Sequence, residues 1–285
     1  MDVLGLHGIA QEQLGRNQLI DDWRRGLADG VEIAGGRAAA VPSFDVSYYG
    51  NLFLPPGAEG VLAAGQGKGG PAAAWVAAPV DDVDVEFLSE AVDELERTTP
   101  ELPAAMGAPA VPAVLRPLAQ RLTRRVSGGL ALRFIAVLRQ VARYLDDDDL
   151  AERIRARFLI DLQHGPRVVI AHSLGTVVAF DTMELNPAQQ APTLITLGSP
   201  LGMRAVTSRL RRADGTRGLP GQPANIGRWV NVFDPGDPVA AAGGLARLWP
   251  AVTDYTVGNG DDPHDIRRYL GKRITGATVI SGITG

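Results

Sequence analysis

Residues 167–185 constrain the fold more than any other part of the chain. Arg167-Val168-Val169-Ile170-Ala171 is a short apolar, β-branched run introduced by Gly165-Pro166, the pattern of a strand buried on both faces. It passes through His172-Ser173-Leu174 directly into helical spacing that begins at Gly175 and extends to about Leu185. Further strands are predicted at 193–197, 229–233 and 252–257, and a helix at 265–270. Upstream, Val3-Leu4-Gly5-Leu6 reads as a buried strand, 17–29 as an amphipathic helix and 45–49 as a strand closing at Gly50. Strands alternating with helices predict an α/β chain with a mostly parallel sheet covered on both faces. Sites in such folds lie beyond the carboxyl ends of the strands. His7-Gly8, Ser173 and Asp237 all fall there.

The middle of the chain reads differently. From about 51 to 117 the alternation fails: 63–79 is rich in Gly and Ala, and prolines stand at 100, 103, 109, 112 and 117. One helix is predicted there, at 83–97. Two more follow at 130–145 and 150–162, separated by the acidic run Asp146-Asp147-Asp148-Asp149, a solvated junction whose charges suit a helix start. The division expected is a core of 1–50 and 150–285 with 51–149 inserted as a cap. The tail 273–285 can add an edge strand or cover a groove.

Composition narrows the chemistry. The 285 residues include no cysteine, which excludes a disulfide framework, a Cys-ligated metal and a thiol nucleophile. Four histidines leave little for a metal site, and no cofactor is expected. A net charge of −4 offers no attraction for nucleic acid. No window reaches the ~18 apolar residues of a membrane-spanning helix, so no stable membrane insertion is expected. Met1-Asp2-Val3-Leu4 lacks the basic and then apolar pattern of a secretory leader, and a cytoplasmic location is the expectation.

Ala171-His172-Ser173-Leu174-Gly175 has the small-x-Ser-x-Gly spacing of a nucleophile on a sharp strand-to-helix turn. Small residues two before and two after the serine let strand and helix pass closely, and the helix amides point at developing negative charge. The competing reading is a serine that merely caps an ordinary helix. An oxyanion needs two backbone N–H groups. Leu174 supplies one, and Ile9, after His7-Gly8, is the candidate for the other. A serine nucleophile also needs a base and an orienting carboxylate; where the serine sits on a strand-to-helix turn of this kind, the chain order is Ser, acid, His. His264 is the only histidine after Ser173. The segment Asp234-Pro235-Gly236-Asp237 offers two acids. Asp237 is preferred because the turn can swing it toward the histidine loop, and Asp234 is the alternative, since Asp commonly opens such a turn.

In combination these segments resemble the α/β-hydrolase superfamily, among its lipase- and esterase-like members. The resemblance rests on His7-Gly8, Ala171-His172-Ser173-Leu174-Gly175, Leu197-Gly198-Ser199-Pro200, the run from Trp229 to Val239, and His264 ahead of Arg268-Tyr269-Leu270. It covers about the first 50 and the last 120 residues. It implies an eight-stranded type of sheet whose first two strands are missing here. It supports Asp237, the Asp of an Asp-x-Val segment, as the acid, and it implies that 51–149 is a cap or lid.

The function expected is a serine hydrolase of carboxylic esters acting through Ser173, His264 and Asp237, with a small acyl ester or lipid-like substrate. Thioester or amide cleavage, or acyl transfer or cyclisation, would use the same residues. A catalytically silent binding module is the contrasting reading, and retention of all three residue types argues against it. His7, Gly8, His172, Phe53, Leu201 and Met203 are candidates for the substrate pocket, with ordinary cap packing as the alternative for the apolar ones. Arg121, Arg124 and Arg125, and Arg209, Arg211 and Arg212, are read as solvated surface or as contacts to an anionic group. Oligomeric state is left open.

Overall fold

A computed structural model describes residues 1–8, 15–37, 43–54, 75–103 and 109–284. Six parallel strands form one sheet in the order β2-β1-β3-β4-β5-β6. They are β1 (Val3–Leu6), β2 (Phe44–Ser47), β3 (Val168–His172), β4 (Ala191–Leu197), β5 (Ile226–Phe233) and β6 (Val252–Thr256). The chain first steps outward from β1 to β2. It then returns past β1 to β3 and continues in one direction to β6. The order therefore reverses between β1 and β3, and a crevice opens at such a point beyond the strand ends.

Alternation along the strands sorts the core into two layers. Val3, Val168 and Ile170 face one side, with Val230 and Val232 of β5. There they meet Trp23, Leu27 and Val31 of helix α1 (Arg16–Ile33) and Leu270 and Val279 near the C-terminus. Leu4, Leu6, Val169 and Ala171 face the other side. That side is covered by α2 (Asp82–Thr98), α3 (Arg116–Leu122), α4 (Gly128–Asp146), α5 (Asp148–Leu162), α6 (Leu174–Leu185) and the short α7 (Arg204–Thr207). A right-handed crossover places the helix after an outward step on one face and the helices after the return steps on the other. Helix placement here follows that rule.

Several predicted boundaries move by a few residues. The second strand ends at Ser47, before Tyr48 and Tyr49, rather than at 49. The acidic run is a shared junction: Asp147 ends α4 and caps α5, accepting the Leu150 N–H at 2.9 Å. The tail forms α9 (Arg273–Thr284), following α8 (Ile266–Leu270), and packs on α1 instead of adding a strand. Glycine makes that crossing possible, because a Cβ at Gly276 would collide with the Gly30 carbonyl.

Helices α2 to α4 are not loosely appended. Phe87, Leu88, Phe134 and Leu138 are fully buried in the same apolar cluster as Leu4 and Val169. The arginine stretches are largely engaged within the fold. Arg121 pairs with Asp93 and Glu96, Arg125 with Glu101, and Arg209 with Glu86 and Glu90. Arg211 is buried against Asp181 at 2.9 Å. These pairs knit α2, α3 and the segment after β4 together; Arg211 is not solvated surface, whereas Arg121, Arg125 and Arg209 pair while still partly exposed and Arg124 is exposed. Among the described residues no helix is long and apolar enough to cross a membrane.

Candidate active site

The register aligns the carboxyl ends of the strands: Leu6 pairs with Ala171, His172 with Leu197, and Leu197 with Val232. His7, Ser173, Gly198 and Asp234 each follow one of these ends. The carboxyl end of the sheet therefore carries His7, Ser173 and the turn from Asp234 to Asp237.

Ser173 is the one residue between β3 and α6. It is the only non-glycine with positive φ among the described residues, at φ 53° and ψ −125°. Such a conformation costs about 1–3 kcal/mol and persists only where the surroundings impose it. The Ser173 N–H donates to the Leu197 carbonyl at 3.1 Å, and the Thr176 hydroxyl donates to the Ser173 carbonyl at 2.7 Å. Gly175 lets α6 pass β1, since a Cβ there would lie within 2.7 Å of the His7 carbonyl oxygen and closer still to that of Leu6. Leu174 is the first residue of α6, so its N–H has no partner within the helix.

His264 comes from the loop between β6 and α8. Its Nε2 lies 3.0 Å from Ser173 Oγ, and its Nδ1 lies 2.7 Å from Asp237 Oδ2. Asp237 and Ser173 are completely buried and His264 nearly so. Water is thus kept from the chain of hydrogen bonds, which strengthens each of them. The second Asp237 oxygen accepts the Val239 N–H at 3.0 Å.

Asp234 has a different task. Its Oδ1 accepts the Gly236 N–H at 2.8 Å, which closes the Pro-Gly turn. Its Oδ2 accepts the Asn259 N–H, tying that turn to the loop that carries His264. The Asn259 amide in turn donates to the Pro263 carbonyl at 2.9 Å. The structure therefore brings Asp237, and not Asp234, to the imidazole.

The remaining histidines near the site are neutral braces. His7 is buried, and this burial lowers its pKa to about 4, against a smaller opposing effect of its bond to Gly8. Its Nε2 accepts the Tyr49 N–H at 3.0 Å, so Nδ1 carries the proton and donates to the Gly8 carbonyl at 2.6 Å. The rings of His7 and Tyr49 stack at 4.0 Å. His172 is also held well below the ordinary histidine range, chiefly by burial, and a positive charge on the adjacent His264 ring would lower it further. Its Nε2 contacts the His264 main-chain carbonyl at 3.2 Å, and the two rings lie 4.8 Å apart.

Gly8 runs along Ser173, since a Cβ there would stand 2.8 Å from Ser173 Cβ. Ile9 lies outside the described residues. Phe53, Leu201 and Met203 are buried members of the apolar cluster beneath α2 to α6. Phe53 packs edge-on against Trp75 at 5.8 Å. Among the described residues no group of three His, Asp or Glu side chains is placed to hold a metal ion.

Two residues of the site were given no role from the sequence. Tyr269 Oη donates to Asp237 Oδ2 at 2.9 Å. Gly198, at φ 54°, faces Asp237, Tyr269 and His264 together. Both stand in segments noted above, Arg268-Tyr269-Leu270 and Leu197-Gly198-Ser199-Pro200. The signal was present, but the partners are distant in sequence.

Chemically, the arrangement permits a proton to pass from Ser173 Oγ to His264 Nε2, with the Asp237 carboxylate stabilising the imidazolium that results. No protein-family model matches the chain, and neither curated proteins nor solved structures provide a match.

Proposed function

We propose that the protein is a serine hydrolase of carboxylic esters, built on an α/β-hydrolase type of fold. The observation that carries this reading is the continuous chain Ser173–His264–Asp237, at 3.0 and 2.7 Å, ending on a serine held at positive φ. An ordinary helix-capping serine needs neither the backbone strain nor the buried imidazole and carboxylate.

In this reading Ser173 Oγ attacks the acyl carbon as His264 Nε2 accepts its proton. The Leu174 N–H, at the start of α6, and the Ile9 N–H stabilise the tetrahedral oxyanion. His264 then gives the proton to the departing alcohol, leaving an acyl-Ser173 ester. Water, deprotonated by His264, releases the acid and restores the serine. Asp237 holds the ring in the tautomer with Nδ1 protonated. This reading takes the described helices of the 51–149 stretch, α2 to α4, as the cap region; they pack in one apolar cluster with the sheet face that carries Leu4 and Val169. The substrate is a small acyl ester or a lipid-like one.

The test is turnover of p-nitrophenyl esters from acetate to palmitate, beside an acyl-thioester and an anilide. Ester hydrolysis that vanishes in Ser173→Ala supports the proposal. Turnover of the thioester or the anilide alone would move the activity to a thioesterase or an amidase. No turnover of any of them with intact fold would remove the reading.

A further inference from the structure

The carboxylate of the site receives more donors than orienting a histidine requires. Asp237 Oδ2 accepts from both His264 Nδ1, at 2.7 Å, and Tyr269 Oη, at 2.9 Å. The direction of the tyrosine bond is fixed by its other partner. Tyr269 Oη accepts the Asp234 backbone N–H at 3.0 Å, which leaves its own proton for Asp237. Burial, and then the Asp237 charge, push the phenol pKa far above its ordinary value, so it remains a donor. The ring is fully buried. A Cβ at Gly198 would stand 2.9 Å from Asp237 Oδ2, 3.0 Å from Tyr269 Cε2 and 3.2 Å from His264 Nδ1, so the three side chains converge where only a glycine fits.

We propose that Tyr269 is a positioning residue of the site: its hydroxyl anchors the Asp237 carboxylate, draws on the same oxygen that serves His264, and so holds down the proton affinity of that base. Each donor to an ionised carboxylate stabilises the anion and lessens what it offers to a neighbouring cation. Without the phenol, the charge on Oδ2 is devoted to the imidazole, and the protonated ring gains. A base that stays protonated to higher pH is idle over a wider range. The catalytic consequence rests on the hydrolase reading, whereas the effect on His264 does not.

Other ionisable groups surround the pair. His172 packs from the end of β3 and is neutral, with His7 beyond it. Asp234 lies in the same turn as Asp237, and Asp262 and Asp265 lie in the His264 loop. Arg133 of α4 is ion-paired to Asp262. All of these groups are retained in a variant that lacks only the Tyr269 hydroxyl, so its comparison with wild type reads the effect of that hydroxyl.

The experiment compares the wild-type chain with Tyr269→Phe and with a protein carrying 2-fluorotyrosine at position 269. Two midpoints are read on the same samples. One is the acid-side midpoint of the rate of inactivation by a fluorophosphonate, and the other is the titration of the His264 ring by nitrogen-15 NMR. With Tyr269→Phe both midpoints are expected to rise by about 0.5–1 pH unit, and the plateau rate to fall by no more than about 10-fold. The more acidic fluorophenol is a stronger donor, and its midpoints are expected below wild type. Unmoved midpoints in a folded Tyr269→Phe protein, or a rise with the fluorophenol, would overturn the proposal. If Tyr269→Phe fails to fold, the direction of the fluorotyrosine shift decides. If wild type does not react with the fluorophosphonate, the hydrolase reading fails, and the NMR midpoints still judge Tyr269.

Discussion

The turn that carries Ser173 and the loops that carry Asp237 and His264 meet at the carboxyl end of the sheet but are built in opposite ways. The serine turn is a local backbone device. One residue at φ 53° joins β3 to α6, and Gly175 admits the close pass over β1. Asp237 and His264 are held by a polar web drawn from distant segments. Asp234 ties the β5 turn to Asn259, Asn259 reaches Pro263, His172 meets the His264 carbonyl, and Tyr269 joins Asp237. A local device concentrates its requirement in a few residues, so single changes there are severe. A web distributes it, so each strand of the web should contribute less, apart from the one bond that reaches the imidazole.

The sharpest way to break that contrast is to change the two acids of one turn. Asp237→Asn should lower kcat/KM for an ester by about 10⁴-fold, because the amide favours the wrong imidazole tautomer. Asp234→Asn should cost no more than about 10-fold in rate and show itself as about 1–3 kcal/mol of lost stability. Ester kinetics alongside urea unfolding separate the two. A larger kinetic loss at Asp234 would reverse the assignment of roles.

Next in size is the close pass. Gly175→Ala should destabilise the fold by about 2–4 kcal/mol, since backbone carbonyls of β1 cannot retreat from a methyl group. Denaturant midpoints measure this directly. A neutral effect would mean that α6 can slide from the strand, and that the serine turn is not rigidly imposed.

A similar magnitude is expected from His7, where it depends on pH. The folded-state pKa is lowered to about 4 from 6.5, so below 6.5 the unfolded chain takes up a proton that the fold refuses. Stability is thus full above pH 6.5 and is lost as pH falls toward 4. Between pH 7 and pH 4.5 the loss through His7 should be roughly 2–3 kcal/mol. His7→Gln should be correspondingly less sensitive over that interval in urea unfolding. Equal pH dependence in the two proteins would show that the His7 ring titrates freely.

The same contrast explains what was legible in the sequence. The strand, serine and helix near residue 173 are contiguous, so a five-residue pattern and its flanking periodicity reveal them. His264 was reachable by elimination, because so few histidines exist. The choice between Asp234 and Asp237 depended on how a Pro-Gly turn folds back, which spacing alone leaves open. Tyr269 and Gly198 stand in segments that the sequence marks, but their roles are not legible there because their partner Asp237 lies more than 30 residues away. The tail was ambiguous for another reason. Ile274, Val279, Ile280 and Ile283 suit either a strand or a buried helix, and it is the contact of Gly276 with Gly30 on α1 that accompanies the helix.

In the proposed mechanism Ser173 is an activated nucleophile. The most direct measurement is treatment of the folded protein with a fluorophosphonate, followed by peptide mass spectrometry. A single adduct on the peptide containing Ser173 is expected, formed at least about 10³-fold more slowly in His264→Ala. An unmodified Ser173, or labelling that persists in Ser173→Ala, would contradict it.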